Sequence, residues 1–454
     1  MSLTSFFIDL HGCAKNQVDG EIIAGHLIKA GYEQKSEASA ADIIIVNSCG
    51  FIESAKKESI DAVCSIRAAY PNKKIILTGC LSERYSQMLN DSMPELDGIF
   101  GNGDLSKIVE VVNKISNGKK VSEVYKQEGI CSGKRPVLFN YSSSAFVKIT
   151  EGCSNHCSFC AIPLIRGELR SRKAVEIIDE IKQLLDNGIY EINLIGQDLA
   201  AYGSGKGDDV FGNGETPLPL IDSNGNNLGT KTPSGLSLLL SEISKLNGNF
   251  AIRLLYIHPD HFNKDIIDIL KKDNRFIKYF DIPFQSGDDE IIKKMNRKGS
   301  AHSYKSIIEI LRNELSSCTI RTTFLTGFPG ETDENAENTK QFLKSIQPDW
   351  SGCFAYSREE DTPAYNMKNR VSKKNAENRA SELESIQSDI TMKRLQQYVD
   401  SEVDVLVEEV INPPEGEEDT EGLAIGRADF QAPEVDGNIV IRYQRDNDVE
   451  SDSV

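Results

Sequence analysis

No stretch of this 454-residue chain approaches the roughly 20 apolar residues that cross a bilayer, so no membrane role is expected. The N-terminus, MSLTSFFIDLHGC, lacks a basic leader and a long apolar run, which predicts no secretory signal and a cytoplasmic protein. Positive charge is also scarce. Lys and Arg number 51 against 69 Asp and Glu, a formal net charge of −18. Affinity for nucleic acid rests mostly on Lys and Arg, so direct nucleic-acid binding is not expected. The deficit is uneven: Lys393 to Val454 holds 17 acidic and 5 basic residues, which is −12 of the −18. A locally acidic module suits a basic partner, and equally a solvated surface.

The remaining composition, 39% hydrophobic and 26% charged, is that of a soluble globular protein. The length predicts two or three domains. SFFIDL (5–10), DIIIVNS (42–48) and KIILTG (74–79) read as buried parallel strands. Helical stretches such as Val18 to Ala30 alternate with them, which predicts an open α/β domain over 4–122. Ser132 to Ser144 reads as a linker. Six further strands are expected at Ala145–Ile149, Tyr190–Ile195, Ala251–Ile257, Tyr279–Phe284, Thr319–Leu325 and Gly352–Tyr356. With their helices they make a partial (β/α)6 barrel over 139–372, whose chemistry belongs at the C-terminal ends of its strands. The Gly-, Asp-, Asn- and Pro-rich stretch Ala201 to Gly235 reads as a surface insertion. Short strands in SEVDVLVEEV, GLAIGRAD and GNIVIRYQ predict a small β-barrel within 393–454.

Ten cysteines in a reducing compartment point to metal or catalysis rather than disulfides. Cys153, Cys157 and Cys160 have CxxxCxxC spacing directly after a strand. Three thiolates hold three corners of a cubane cluster and leave the fourth iron open, whereas structural zinc wants four closed ligands. His156 could be a fourth ligand, but it sits inside the loop, where reaching the same metal is strained. Cys13, Cys49 and Cys80 each lie just past one of the first three strands. Carboxyl ends of parallel strands share one sheet edge, so these thiols are expected to meet as a second cluster site. Buried structural cysteines are the bland alternative. Cys64, Cys131, Cys318 and Cys353 read as small core residues.

CxxxCx(aromatic)C after the first strand of a partial barrel resembles the radical S-adenosylmethionine superfamily. The resemblance implies that the open iron binds the methionine moiety of S-adenosylmethionine, whose reductive cleavage produces a hydrogen-abstracting radical. It also places Phe159 near the adenine and Gln197, in Ile195-Gly196-Gln197-Asp198, at the methionine amino group. Thr326-Gly327-Phe328-Pro329-Gly330-Glu331 is similar to the superfamily's fifth-strand glycine motif.

Two three-cysteine sites in this order resemble the methylthiotransferases over nearly the whole chain. The likeness rests on His11-Gly12-Cys13-Ala14-Lys15-Asn16, Val46-Asn47-Ser48-Cys49-Gly50-Phe51-Ile52 and Leu77-Thr78-Gly79-Cys80-Leu81. It continues in Asp281-Ile282-Pro283-Phe284-Gln285-Ser286-Gly287 and Met295-Asn296-Arg297. Ile425-Gly426-Arg427 and Ala432-Pro433-Glu434-Val435-Asp436-Gly437 are similar to that family's TRAM-like substrate-recognition barrel. GCAKN, NSCGFIESAK and CSFCAIPLIRGELRSR look like the subfamily that modifies the β-carbon of an aspartate in small-subunit ribosomal protein S-twelve. The acidic C-terminal module agrees, since it would repel a phosphate backbone and attract a basic protein.

What the resemblance implies is two 4Fe–4S clusters and two molecules of S-adenosylmethionine per turnover. One gives its methyl group to sulfur at the Cys13/Cys49/Cys80 cluster, and the other supplies the radical at the Cys153/Cys157/Cys160 cluster. The expected partners are ribosomal protein S-twelve, free or on the assembled small subunit, and an electron donor. No general acid or base is assignable beyond the cluster ligands. The alternatives are a transfer-RNA adenosine methylthiotransferase and, from another class, a two-cluster electron carrier. The chain ends in RYQRDNDVESDSV, where the family's barrel normally continues.

Overall fold

Short, largely apolar and mostly buried strands build two large parallel sheets. The computed structural model describes residues 4–126, 133–139, 142–212, 233–411 and 421–443. The first sheet holds β1 (Ser5–Leu10), β2 (Glu33–Gln34), β3 (Ile43–Ser48), β4 (Lys74–Gly79), β5 (Gly98–Phe100) and β6 (Val121–Glu123). Their order is β2-β1-β3-β4-β5-β6, and every pairing is parallel. The three strands expected from sequence are its centre. The other three are two or three residues long, too short to carry a periodic signal.

The second sheet takes β7 (Ser144–Lys148), β10 (Glu191–Ile195), β11 (Ala251–Leu254), β12 (Phe276–Asp281), β13 (Thr319–Thr326) and β14 (Trp350–Ala355). They lie in sequence order, all parallel, as the expected partial barrel. A two-stranded pair, β8 (Thr150–Glu151) with β9 (Arg170–Ser171), brackets the CxxxCxxC loop. The helix Ala174–Asp186 buries Ala174, Ile177, Ile181 and Leu184 against this sheet. Past its end, Gly188 takes φ +87°. The C-terminal strands β15 (Val405–Ile411), β16 (Gly422–Ala428) and β17 (Ile439–Tyr443) form an antiparallel sheet. The tail after Tyr443 and residues 213–232 of the expected insertion lie outside the described residues, as does Cys131. Among the described residues no helix is long and apolar enough to cross a membrane.

One element departs from the amphipathic reading. The first helix spans Ala14–Lys29, and every residue from Ala14 to Ala24 is buried, including Lys15, Asn16, Gln17, Asp19 and Glu21. It lies between the first sheet and the barrel, so both its faces are covered. Its apolar side joins a core cluster that also draws on Phe146, Leu255 and Tyr279 of the barrel and Ala432 of the C-terminal module.

Its polar side is satisfied by buried ions. Lys148 Nζ bridges Asp19 (2.6 Å) and Glu151 (2.5 Å), and Arg166 reaches the same two carboxylates at 2.9 and 2.7 Å. Farther along, Arg135 joins Glu21 and Glu180 at 2.5 Å each, and Arg172 completes the set on Glu180. The C-terminal module is tied on in the same manner. Glu191 meets Arg253 (3.0 Å) and Arg427 (3.3 Å), and Arg427 meets Glu408 (2.6 Å). Each group holds two cations and two carboxylates, so none buries net charge.

Removing one partner of such a group leaves an uncompensated buried charge and costs about 3–5 kcal/mol. Arg427→Ala should therefore lower the melting temperature and make the segment after Leu395 the first released by limited proteolysis. A variant as resistant as the parent would show that this seam does not hold the module.

Candidate functional site

The six predicted ligand cysteines fall in two groups on facing modules. Cys13, Cys49 and Cys80 follow β1, β3 and β4, which are adjacent in the sheet, with Leu10 paired to Asn47 and Ser48 to Gly79. The strand ends therefore deliver three thiols, distant in sequence, to one edge. Glycines make the approach possible. A Cβ on Gly12, where φ is +109°, would stand 3.2 Å from Cys49 Cβ. A Cβ on Gly50 would stand 2.5 Å from the carbonyl oxygen of Cys80. Burial pushes the Cys80 thiol up to about 12 against the pull of Arg166, with Cys13 and Cys49 adding to the rise. Burial also raises the Cys49 thiol. Asn16 accepts from the Cys80 thiol at 3.3 Å, and Arg166 Nη2 donates to the same sulfur at 3.3 Å.

Cys153, Cys157 and Cys160 lie on the loop after β8. Burial raises the Cys153 thiol well above its ordinary value, with Asp198, Cys160 and Cys157 adding, and takes Cys160 up to about 12. The Met295-Asn296-Arg297 motif clamps this loop. The Ser158 amide donates to the Met295 carbonyl (3.0 Å), and the Asn296 side chain to the His156 carbonyl (2.9 Å). Arg297 is itself fixed by the carbonyls of Pro283 and Phe284 at 2.6 and 3.2 Å. Phe159 packs beside Ile291, Met295 and Phe328. The Oε1 of Gln197 is buried without a hydrogen-bond partner.

The donor chemistry fits clusters better than single ions. All nine described cysteines are free. Among the described residues, the one His, Cys, Asp and Glu group whose ligand atoms lie mutually within 4.8 Å is Asp198, His258 and His261. Thiols around one zinc stand about 4 Å apart, given bonds of about 2.3 Å, so neither triad is drawn in that tightly. His156 is exposed, and its Nε2 faces Glu168 at 3.4 Å rather than a thiol partner. The orphaned Gln197 acceptor fits an ammonium donor such as that of S-adenosylmethionine.

His258 and His261, which meet Asp198 of the Ile195-Gly196-Gln197-Asp198 motif, carried no sequence signal. Asp198 accepts from Asn155 (3.0 Å) and the His258 amide (3.2 Å), and pairs with His261 at 2.6 Å. Burial opposes ionisation of Asp198, but the two histidines outweigh it and hold the carboxyl at about 2. His258 Nε2 lies 3.7 Å from Cys157 Sγ, so this group braces the cysteine loop from below. Cys153, Asn155, Asp198 and His258 line a cavity of about 230 Å³, together with Tyr202 and Ser234 from the described ends of the 201–235 stretch.

A second cavity, of about 460 Å³, opens where all three modules meet. Cys13, Tyr256, Asp281 and Arg321 line it, and Pro433, Glu434 and Val435 of the C-terminal module close one side. Tyr256 takes φ +71°, a conformation unusual for a bulky residue, and its ring carries Lys15 Nζ 3.2 Å from the centroid. Burial lowers the Lys15 pKa to about 8. Arg321 is shared between Asp436 (3.1 Å) and Asp281 (3.9 Å). The remaining thiols divide: Cys318 and Cys353 are buried as expected, whereas Cys64 is exposed on the outer face of the helix Glu53–Ala69.

Three family matches cover the modules in order: the Uncharacterized protein family UPF0004 at residues 5–101, the Radical SAM superfamily at 147–343, and the TRAM domain at 399–452. The ribosomal protein uS12 methylthiotransferase RimO of Treponema denticola is 51% identical, over 96% of this chain and 92% of that protein. The protein of the same name from Natranaerobius thermophilus is 38% identical, over 95% of this chain and 91% of its own length. Among solved structures, the radical S-adenosylmethionine methyltransferase TsrM of Kitasatospora setae aligns with a TM-score of 0.55 and 13% identity. It covers 80% of this chain and 77% of that one, a likeness of fold alone.

The crowding at Gly50 supplies a test. Gly50→Ala forces a methyl group into the Cys80 backbone, an overpacking worth about 1–3 kcal/mol. In the metal-free protein, Cys80 should then be alkylated several-fold faster than in the parent, read by mass spectrometry at timed intervals. Unchanged labelling of Cys80 would show that the strand end tolerates the displacement.

Proposed function

The chain belongs to the ribosomal protein uS12 methylthiotransferase family, and from that membership we propose that it methylthiolates the β-carbon of an aspartate in uS12. It is a radical S-adenosylmethionine enzyme. Two 4Fe–4S clusters and S-adenosylmethionine supply, when bound, the one-electron chemistry, the methyl group and the means of removing a hydrogen atom. Cys153, Cys157 and Cys160 would hold one cluster, and Cys13, Cys49 and Cys80 the other. Gln197 Oε1 would accept from the amino group of the methionine moiety, and Phe159 would lie against the adenine. We keep the division into 4–122, 139–372 and 393–454 as the working domain limits.

The observation that carries this reading is the contact between the segment that follows Cys160 and Cys80 of the N-terminal triad. The loop with Cys153, Cys157 and Cys160 continues into the short helix Ile162–Arg166, whose last residue touches the sulfur of Cys80. Ala161 and Ile165 pack on Cys80 as well. An electron carrier has no need of a cavity lined by Cys13 and closed by the C-terminal module. A substrate side chain would reach Cys13 past Pro433, Glu434 and Val435, so that module can choose what enters. Its exposed acidic residues, among them Glu402, Asp404 and Glu409, suit a basic ribosomal protein and oppose a phosphate backbone. The reaction also needs an outside electron donor, and we place it in the cytoplasm with its substrate.

Anaerobic reconstitution tests the ligand sets. Replacing Cys153, Cys157 and Cys160 together with Ala should remove about half of the iron and abolish S-adenosylmethionine cleavage. Replacing Cys13, Cys49 and Cys80 should also halve the iron yet leave cleavage measurable. Full iron in the second variant would refute the N-terminal cluster. Substrate choice is read by offering uS12 and transfer RNA together: methylthiolated aspartate is expected, and methylthiolated adenosine with unmodified uS12 would overturn the reading.

Charge supplies a further outcome. Reversing Glu402, Asp404 and Glu409 to Lys should slow uS12 association at low salt. The difference should shrink as salt approaches physiological strength, where screening acts over about 8 Å. A salt-independent deficit would mean that these charges do not steer the partner.

A further inference from the structure

Arg166 has a place in the fold that neither cysteine triad explains by itself. Its side chain is 3% exposed, and it ends the short helix that begins two residues after Cys160. The guanidinium is held as a plane by four acceptors. Nη1 donates to Glu151 (2.7 Å), and Nη2 shares its two N–H groups among Asn16 (2.8 Å), Asp19 (2.9 Å) and the sulfur of Cys80 (3.3 Å). Lys148 grips both carboxylates from the other side, so the fork cannot swing away. A fixed, permanently charged donor, shielded from water, thus points at one thiol of the N-terminal triad from the loop that carries the other.

We propose that Arg166 is a positioning residue that sets the reduction potential of the N-terminal cluster by donating a hydrogen bond to the sulfur of Cys80. The inference rests on the reading that Cys13, Cys49 and Cys80 hold a cluster. Hydrogen bonds to cluster-bound sulfur, with nearby positive charge, favour the more electron-rich state and raise the potential. Glu151 and Asp19 fix where the guanidinium stands. Because the same residue terminates the Cys160 helix, the position of the radical-site loop is written directly into the electrostatics of the other site.

The test uses the full chain carrying Cys153, Cys157 and Cys160→Ala as the parent, so that iron and paramagnetic signals report on the N-terminal cluster alone. Redox titrations followed by electron paramagnetic resonance compare Arg166→Met, Arg166→Lys and Glu151→Gln in that background. The midpoint should move negative in Arg166→Met and less so in Arg166→Lys, which keeps the charge but loses the fork, with iron content retained. Glu151→Gln removes a neighbouring negative charge and should move it the opposite way or not at all. If Arg166→Met does not fold, Arg166→Lys decides. An unmoved midpoint in a folded, iron-loaded Arg166 variant overturns the proposal. So does an equal negative shift in Glu151→Gln, which would mark a loosened seam. A parent that binds no iron would overturn the cluster reading itself, and this inference with it.

Discussion

The structure depends on one constraint: the helix Ala14–Lys29 is covered on both sides, so its polar residues must be satisfied inside the protein. Asp19 and Glu21 are buried, and a carboxylate left there without its partner would cost about 3–5 kcal/mol, a large share of a fold's margin of stability. Lys148, Arg166 and Arg135 therefore come from the barrel side and the linker to meet them. The seam closes in one register, because a slip of one helical position would leave several charges unpaired. Buried ion pairs add little net stability over apolar packing, but they penalise misalignment severely. That suits a site whose parts sit on two different sheets.

The same logic recurs at the third module. Arg427, from the Ile425-Gly426-Arg427 motif, sits between Glu191 of the barrel and Glu408 of its own sheet. Asp436, from Ala432 to Gly437, takes Arg321 and the hydroxyl of Tyr279. The second attachment borders the cavity that Pro433, Glu434 and Val435 help to close, since Arg321 lines it. The acidic module is therefore not a tethered appendage. Its loop is a wall of the site, and its outward charge and its inward geometry serve one entrance.

Most of the framework was legible because it follows from local chemistry. The three central N-terminal strands announced themselves as β-branched runs and the six barrel strands as repeated strand–helix units, and strand-end cysteines can be placed from topology alone. The short strands β2, β5 and β6 carried too little pattern, since their pairing is decided by neighbours. The first helix was legible as a helix but not as a buried one, because its charged residues look like a solvent face. Asp198, His258 and His261 lie on two loops and meet only in space. Tyr256 and Arg321 stand outside any motif. Cys64 shows the reverse error: a small apolar residue read as core stands on the outer face of its helix.

Why the seam is ionic rather than apolar follows from what it must hold. The two cysteine sites, on the function proposed above, need a fixed separation, and an apolar seam tolerates repacking and sliding better than a charged one. A hydrophobic wall beside Cys80 would also leave its sulfur without donors, in surroundings that disfavour any negative charge gathered there. Arg166 answers both demands with one side chain, because Nη1 holds Glu151 while Nη2 meets Asp19 and the sulfur of Cys80. Lysine could neutralise one neighbour but could not hold this geometry, since its single nitrogen cannot span acceptors on opposite sides. The charge balance of the seam then completes the argument. Lys148 and Arg166 together offset Asp19 and Glu151, so thiolate charge at Cys80 meets an oriented donor in a balanced group rather than a net repulsion.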